Sequence, residues 1–168
     1  MRVMGIDPGT RITGYGCVEL TANAIEPRLI EAGVLKLDSA GSIEQRLMVL
    51  HEGVVGLIDE LQPGSFAIEK IFAHYKHPRT AITMAHARGV VLLAAQQAGL
   101  GIEHLPATEV KKSVTGNGHA TKHQIQQAVA SQCRLAELPE PPDVADAIAI
   151  ALCAARRQAF ARLAQRRP

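Results

Sequence analysis

The sequence predicts an α/β fold: a mixed five-stranded sheet, three strands antiparallel and two parallel, flanked by helices. Three observations predict it. The first forty residues hold three alternating apolar segments with short turns between them, as in an antiparallel meander. Of two later segments, "SFAIE" is short, apolar and turn-bounded, as a buried strand is, and "GIEHLP" reads as a further strand. A long stretch with apolar residues at helical spacing precedes each of them, as the crossover into a parallel strand requires.

Each element can be justified in order. Residues 2–6 read as the first strand, "TGYGCVEL" and "PRLIEAGVLKL" as the next two, with "TANAIE" turning between them. "SIEQRLMVLHEGVVGLIDELQ" is helical, with Ser42 as its N-cap and "PG" after Gln62 as its stop. "PRTAITMAHARGVVLLAAQQAG" has Pro78 at its start and Gly99 at its end. "ATEVKKSV" and "TKHQIQQAVASQC" form helices around the loop "TGNGHA". "LPEPPD" interrupts, because proline cannot continue a helix, and "DVADAIAIALCAARRQAF" closes the order.

Length and composition agree with this reading. With 168 residues, 47% hydrophobic and 20% charged, one well-buried domain is expected. Its span is residues 1–158, followed by a basic tail at 159–168. The three cysteines are scattered without metal-ligand spacing, and no signal-peptide or membrane-length apolar run is visible. A cytoplasmic protein is expected, with no membrane partner. Net charge is only +2, but cations cluster at Lys70, Lys76, Arg79 and Arg88, then at Lys111, Lys112 and Lys122, in the manner of a phosphate footprint. Trp is absent and aromatic residues make up 3%, so Phe72 and Tyr75 stand out beside the first cluster.

Four acidic residues fall at element ends. Asp7 ends the first strand and Glu69 the fourth; as parallel neighbours, both would emerge at the carboxyl edge where α/β sheets build sites. Asp143 and Asp146 share one face at the start of the last helix. Each has a structural alternative. Asp7 suits a turn, Asp143 suits an N-cap, and Glu69 suits an ion pair with Lys70 or Arg88. Asp146, set within "VADAIAIAL", is the hardest to explain structurally. Clustered carboxylates repel unless a cation intervenes, and hard oxygen donors favour Mg²⁺ or Mn²⁺. Two such ions activate water and stabilise a leaving oxygen in phosphodiester hydrolysis, so the chemistry points to a nuclease.

At these residues the chain resembles a known family. "GIDPGTRITGYG", "FAIEKIF", "ARGV", "VKKSVTGNG" and "DVADAIAIA" are similar, in order, to the motifs of the RuvC family of crossover junction endodeoxyribonucleases, the bacterial Holliday junction resolvases. The resemblance implies a ribonuclease H-like fold and a homodimer that nicks two symmetry-related strands of a four-way junction. It also implies Mg²⁺ dependence, with two ions per subunit and Mn²⁺ as a substitute, and cooperation with a branch-migration motor in recombination and repair. Asp7, Glu69, Asp143 and Asp146 would be the catalytic, metal-binding set. Phe72 would meet unpaired bases at the crossover, and Lys111 and Lys122 would approach the scissile phosphate and backbone. Tyr75, Lys76, Arg79 and Lys112 are further candidate DNA contacts. The stretch "AHYKHPRT" departs from the family pattern and lacks an asparagine often found there. "GIDPGT" also resembles the first phosphate motif of actin-like and sugar-kinase-like phosphotransferases, a reading that requires a second domain. A non-catalytic junction-binding module is the third class.

Overall fold

The computed structural model describes residues 1–22, 24–38, 40–70 and 78–165. Three strands open the chain: β1 (Arg2–Asp7), β2 (Ile12–Glu19) and β3 (Arg28–Lys36). Next come α1 (Ile43–Leu61), β4 (Ser65–Glu69), α2 (Pro78–Gln97) and β5 (Ile102–Leu105). The chain ends with α3 (Ala107–Thr115), α4 (Lys122–Cys133) and α5 (Pro142–Gln165). The strands lie in the order β3-β2-β1-β4-β5. The β1–β2 and β2–β3 pairs are antiparallel, whereas β1–β4 and β4–β5 are parallel. The expected mixed sheet is present.

Strand alternation sorts two cores onto the two faces. Met4, Ile6, Phe66 and Ile68 pack with α1 and α2, while Val3 and Ala67 pack with α3, α4 and α5. Asp7 and Glu69 continue the second set, so both belong to the α5 face.

Local signals fix most element ends. Ser42 and Gln45 form a reciprocal capping box on α1, and Thr121 and Gln124 repeat it on α4. Beyond α2 the chain turns at Gly99 (φ 70°), a conformation that costs glycine nothing. The last helix departs from the expected end at Phe160 and runs on to Gln165. A contact drives the extension: Ala159 is buried, and Ala159, Arg162 and Leu163 line one hollow with Leu20 and Ile25 of the β2–β3 turn. Among the described residues no helix is long and apolar enough to cross a membrane.

Candidate active site

The parallel register pairs Ile6 with Ile68, which places Asp7 and Glu69 side by side at the carboxyl end of the two central strands. The turn after Asp7 is tied down. The Gly9 amide donates to Thr13 Oγ1 at 3.1 Å, and that hydroxyl donates back to the Gly9 carbonyl at 2.9 Å. Arg46 of α1 donates from Nη1 to the Thr10 carbonyl at 3.2 Å.

The second pair of acids arrives through a seam of glycines. Gly5 and Gly16 are register partners on β1 and β2, and Gly14 pairs with Asp7. A Cβ on Gly5 would lie 2.5 Å from the Ala147 carbonyl oxygen, and one on Gly16 would lie 2.9 Å from the Ile148 Cα. A Cβ on Gly14 would overlap the Asp143 carbonyl outright. With no side chains between them, α5 rests on the strand backbone, and its first turn brings Asp143 and Asp146 over Asp7. Gln126, buried on α4, fixes the approach by donating to the Pro139 carbonyl at 3.0 Å and to Glu140 Oε1 at 2.9 Å.

All four carboxylates line one cleft of about 370 Å³, together with Lys111 and Lys122. Its electrostatics are those of crowded anions. Burial, then Asp146, Asp143 and Glu69, push the Asp7 carboxyl up to about 7, against the opposing pull of Lys122. Glu69 is raised by burial and by Asp146, with Lys111, Lys122 and Arg88 opposing. Asp146 is likewise raised by burial, and Lys122 is the chief opposing charge. The Lys122 ammonium lies 3.6 Å from Asp146 Oδ2. That lysine occupies the first position of α4, where a cation faces the positive end of the helix dipole. The carboxylates are what favour it there.

Among the described residues no group of three His, Cys, Asp or Glu side chains is already gathered tightly enough to hold a metal ion. The donor set and its repulsion nonetheless fit a hard divalent cation: four oxygen-bearing groups share a cleft in which anions are disfavoured.

The remaining sequence candidates are distributed differently. Phe72, Tyr75 and Lys76 lie outside the described residues. Arg79 is exposed in the first turn of α2 and does not line the cleft. Lys112 is exposed and lines a separate hollow with Glu26, Glu109, Arg156 and Arg157, unlike its neighbour Lys111. Gly116 closes α3 in the left-handed conformation (φ 78°), which accounts for it without a ligand. Sequence reasoning missed the glycine seam, whose signal was the alternation of Gly14 and Gly16 on one strand. The structural alternative for Glu69, an ion pair with Lys70 or Arg88, is not what forms among the described residues: the Arg88 guanidinium donates to the Glu69 main-chain carbonyl.

Comparison with known proteins agrees with this architecture. A family model described as crossover junction endodeoxyribonuclease RuvC matches residues 3–154. The protein of that description from Rhodopirellula baltica is 47% identical over 153 residues, covering 90% of this chain and 84% of its own. Its counterpart from Pelotomaculum thermopropionicum is 42% identical over 162 residues, covering 96% and 97%. The structure of Thermus thermophilus RuvC in complex with Holliday junction substrate superposes with a TM-score of 0.85 at 32% identity, covering 98% of this chain and 96% of that one. With a family match across nearly the whole length and relatives this similar, the chain belongs to the RuvC family of crossover junction endodeoxyribonucleases.

Proposed function

We propose that this protein is a structure-selective endonuclease that resolves Holliday junctions by paired, symmetric hydrolysis of phosphodiesters during homologous recombination and repair. One observation carries the reading: acids from β1, β4 and α5 meet in a single cleft where burial and mutual repulsion disfavour their charge. Asp7, Glu69, Asp143 and Asp146 would hold Mg²⁺, two ions per subunit, with Mn²⁺ able to replace it. Such ions, when bound, supply activated water and stabilise the leaving oxygen.

The chain's own residues do the rest. Lys111, half-buried in the cleft, faces the phosphate as a point cation, and Lys122 offers a second ammonium at the rim. Phe72 stacks on an unpaired base at the crossover, with Tyr75, Lys76, Arg79 and Lys112 as further DNA contacts. A two-fold dimer matches the symmetry of a four-way junction and presents two sites to two strands. Exposed apolar residues on α1 and α2, Met48, Val49, Ile82 and Leu93, support a second copy as the partner. A branch-migration motor would deliver the junction, and the setting is the cytoplasm.

The test is a gel comparing a synthetic four-way junction with a linear duplex of the same sequence, with and without Mg²⁺. Paired nicks on the junction alone, dependent on Mg²⁺ and lost in Asp146→Asn while binding persists, are expected. Equal cutting of the duplex rejects the substrate. Binding without any metal-dependent product reduces the protein to a junction-binding module.

A further inference from the structure

Arg88 stands on α2, one turn beyond Met84, which lines the carboxylate cleft. Its Nη1 donates to the main-chain carbonyl of Glu69, and its Nη2 lies 2.6 Å from His104 Nδ1. His104 pairs in register with Ile68, so the guanidinium spans the ends of β4 and β5. One residue further on, the Lys70 amide donates to the Leu105 carbonyl at 2.8 Å. The main chain leaving Glu69 is therefore held twice in succession, by Arg88 and by β5, at the last residue of β4.

The pairing has two consequences for the glutamate. First, an arginine beside a carboxylate ordinarily binds it end-on, yet here the fork is spent on a carbonyl and an imidazole. Among the described residues the Glu69 carboxylate accepts no hydrogen bond, so both oxygens remain available on the cleft side. Second, two consecutive hydrogen bonds restrain the strand end. His104 suits this use, because burial, Arg88 and Lys70 all disfavour its protonated form and leave Nδ1 free to accept.

We propose that Arg88 is a positioning residue for Glu69. It anchors the strand end through its main chain so that the carboxylate enters the cleft from a fixed Cα and is not captured by the guanidinium. The inference rests on the reading of Glu69 as a metal ligand.

Titration of the metal-free protein with Mn²⁺, followed by electron paramagnetic resonance, tests it in the wild type, E69Q, R88M and the double variant. Substitution at either position is expected to weaken Mn²⁺ binding, by roughly tenfold for E69Q and somewhat less for R88M. The double variant should match E69Q within about twofold, because residues acting through one group are not additive. R88K keeps the charge without the fork; it should weaken binding as R88M does, and it carries the same cycle where R88M fails to fold. Losses that multiply in the double variant, or R88K binding as tightly as wild type, overturn the role of Arg88 alone. An E69Q protein that keeps full Mn²⁺ affinity overturns the ligand reading and the inference with it.

Discussion

Gly14 lies directly beneath Asp143, so close that a Cβ on the glycine would overlap the aspartate's carbonyl oxygen. The substitution Gly14→Ala must lift the start of α5 off the sheet, and overpacking of this kind costs about 1–3 kcal/mol. Because the displaced turn carries Asp143 and Asp146, junction nicking should fall by about 100-fold, a loss typical of slightly misplaced catalytic groups. Gly56→Ala, where the added Cβ meets nothing within 4 Å, is the control and should leave nicking unchanged. Denaturant unfolding and single-turnover nicking measure the two effects.

Stability of the metal-free protein should depend on pH in a definite direction. The Asp7 carboxyl sits at about 7 in the folded chain, against about 3.9 in an unfolded one. Between those values the folded state keeps a proton that the unfolded state has lost. Stability from this group is therefore present below about pH 4 and is lost as pH rises to about 7, by up to about 4 kcal/mol. Thermal melts in chelator across that range should decline, and added Mg²⁺ at pH 8 should reverse the decline.

Asp7→Asn separates repulsion from catalysis. Removing the buried charge should flatten that pH dependence and raise the melting temperature of the metal-free protein at pH 8. Nicking should vanish, while junction affinity in chelator stays within about twofold of wild type, since phosphate contacts carry the binding energy.

Lys122→Met removes the ammonium that lies 3.6 Å from Asp146. Its side chain is 70% exposed, so the pair contributes under about 1 kcal/mol to stability. The loss should fall on the reaction, at about 10–100-fold in single-turnover rate at saturating Mg²⁺ if the lysine faces the phosphate. An unchanged rate would relegate it to the surface.

Gln126→Leu leaves the Pro139 carbonyl without its buried donor, while Glu140, which is exposed, turns to water. An unsatisfied buried carbonyl costs about 1–3 kcal/mol. Hydrogen exchange should accelerate in the first turn of α5 before it does so in the strands.

Much of this was readable from the chain because its punctuation is local. Ser42 announces a helix start through a side chain that bonds its own neighbours, and apolar alternation distinguishes strands from helices without reference to the rest of the fold. The acids at Asp7 and Glu69 were visible as carboxylates closing apolar runs. What stayed hidden depends on contacts between distant segments. The nearness of Gly14 to Asp143 exists only once α5 is laid on the sheet, and no periodicity encodes it. The turn of Arg88 toward a carbonyl is set by β5 reaching His104 beneath it. The last helix outran its expected end because Ala159 and Leu163 find the β2–β3 turn, a partner far away in sequence.

β1 and β4 are the two strands of the acidic pair, and each has another strand on both sides. Opening fluctuations begin at the margins of a sheet, here β3 and β5, and reach the middle only when the whole domain comes apart. Asp7 and Glu69 thus ride on the last backbone to breathe. Their spacing should survive partial melting of the periphery, and cutting should fail in step with global collapse, with no earlier decline on heating.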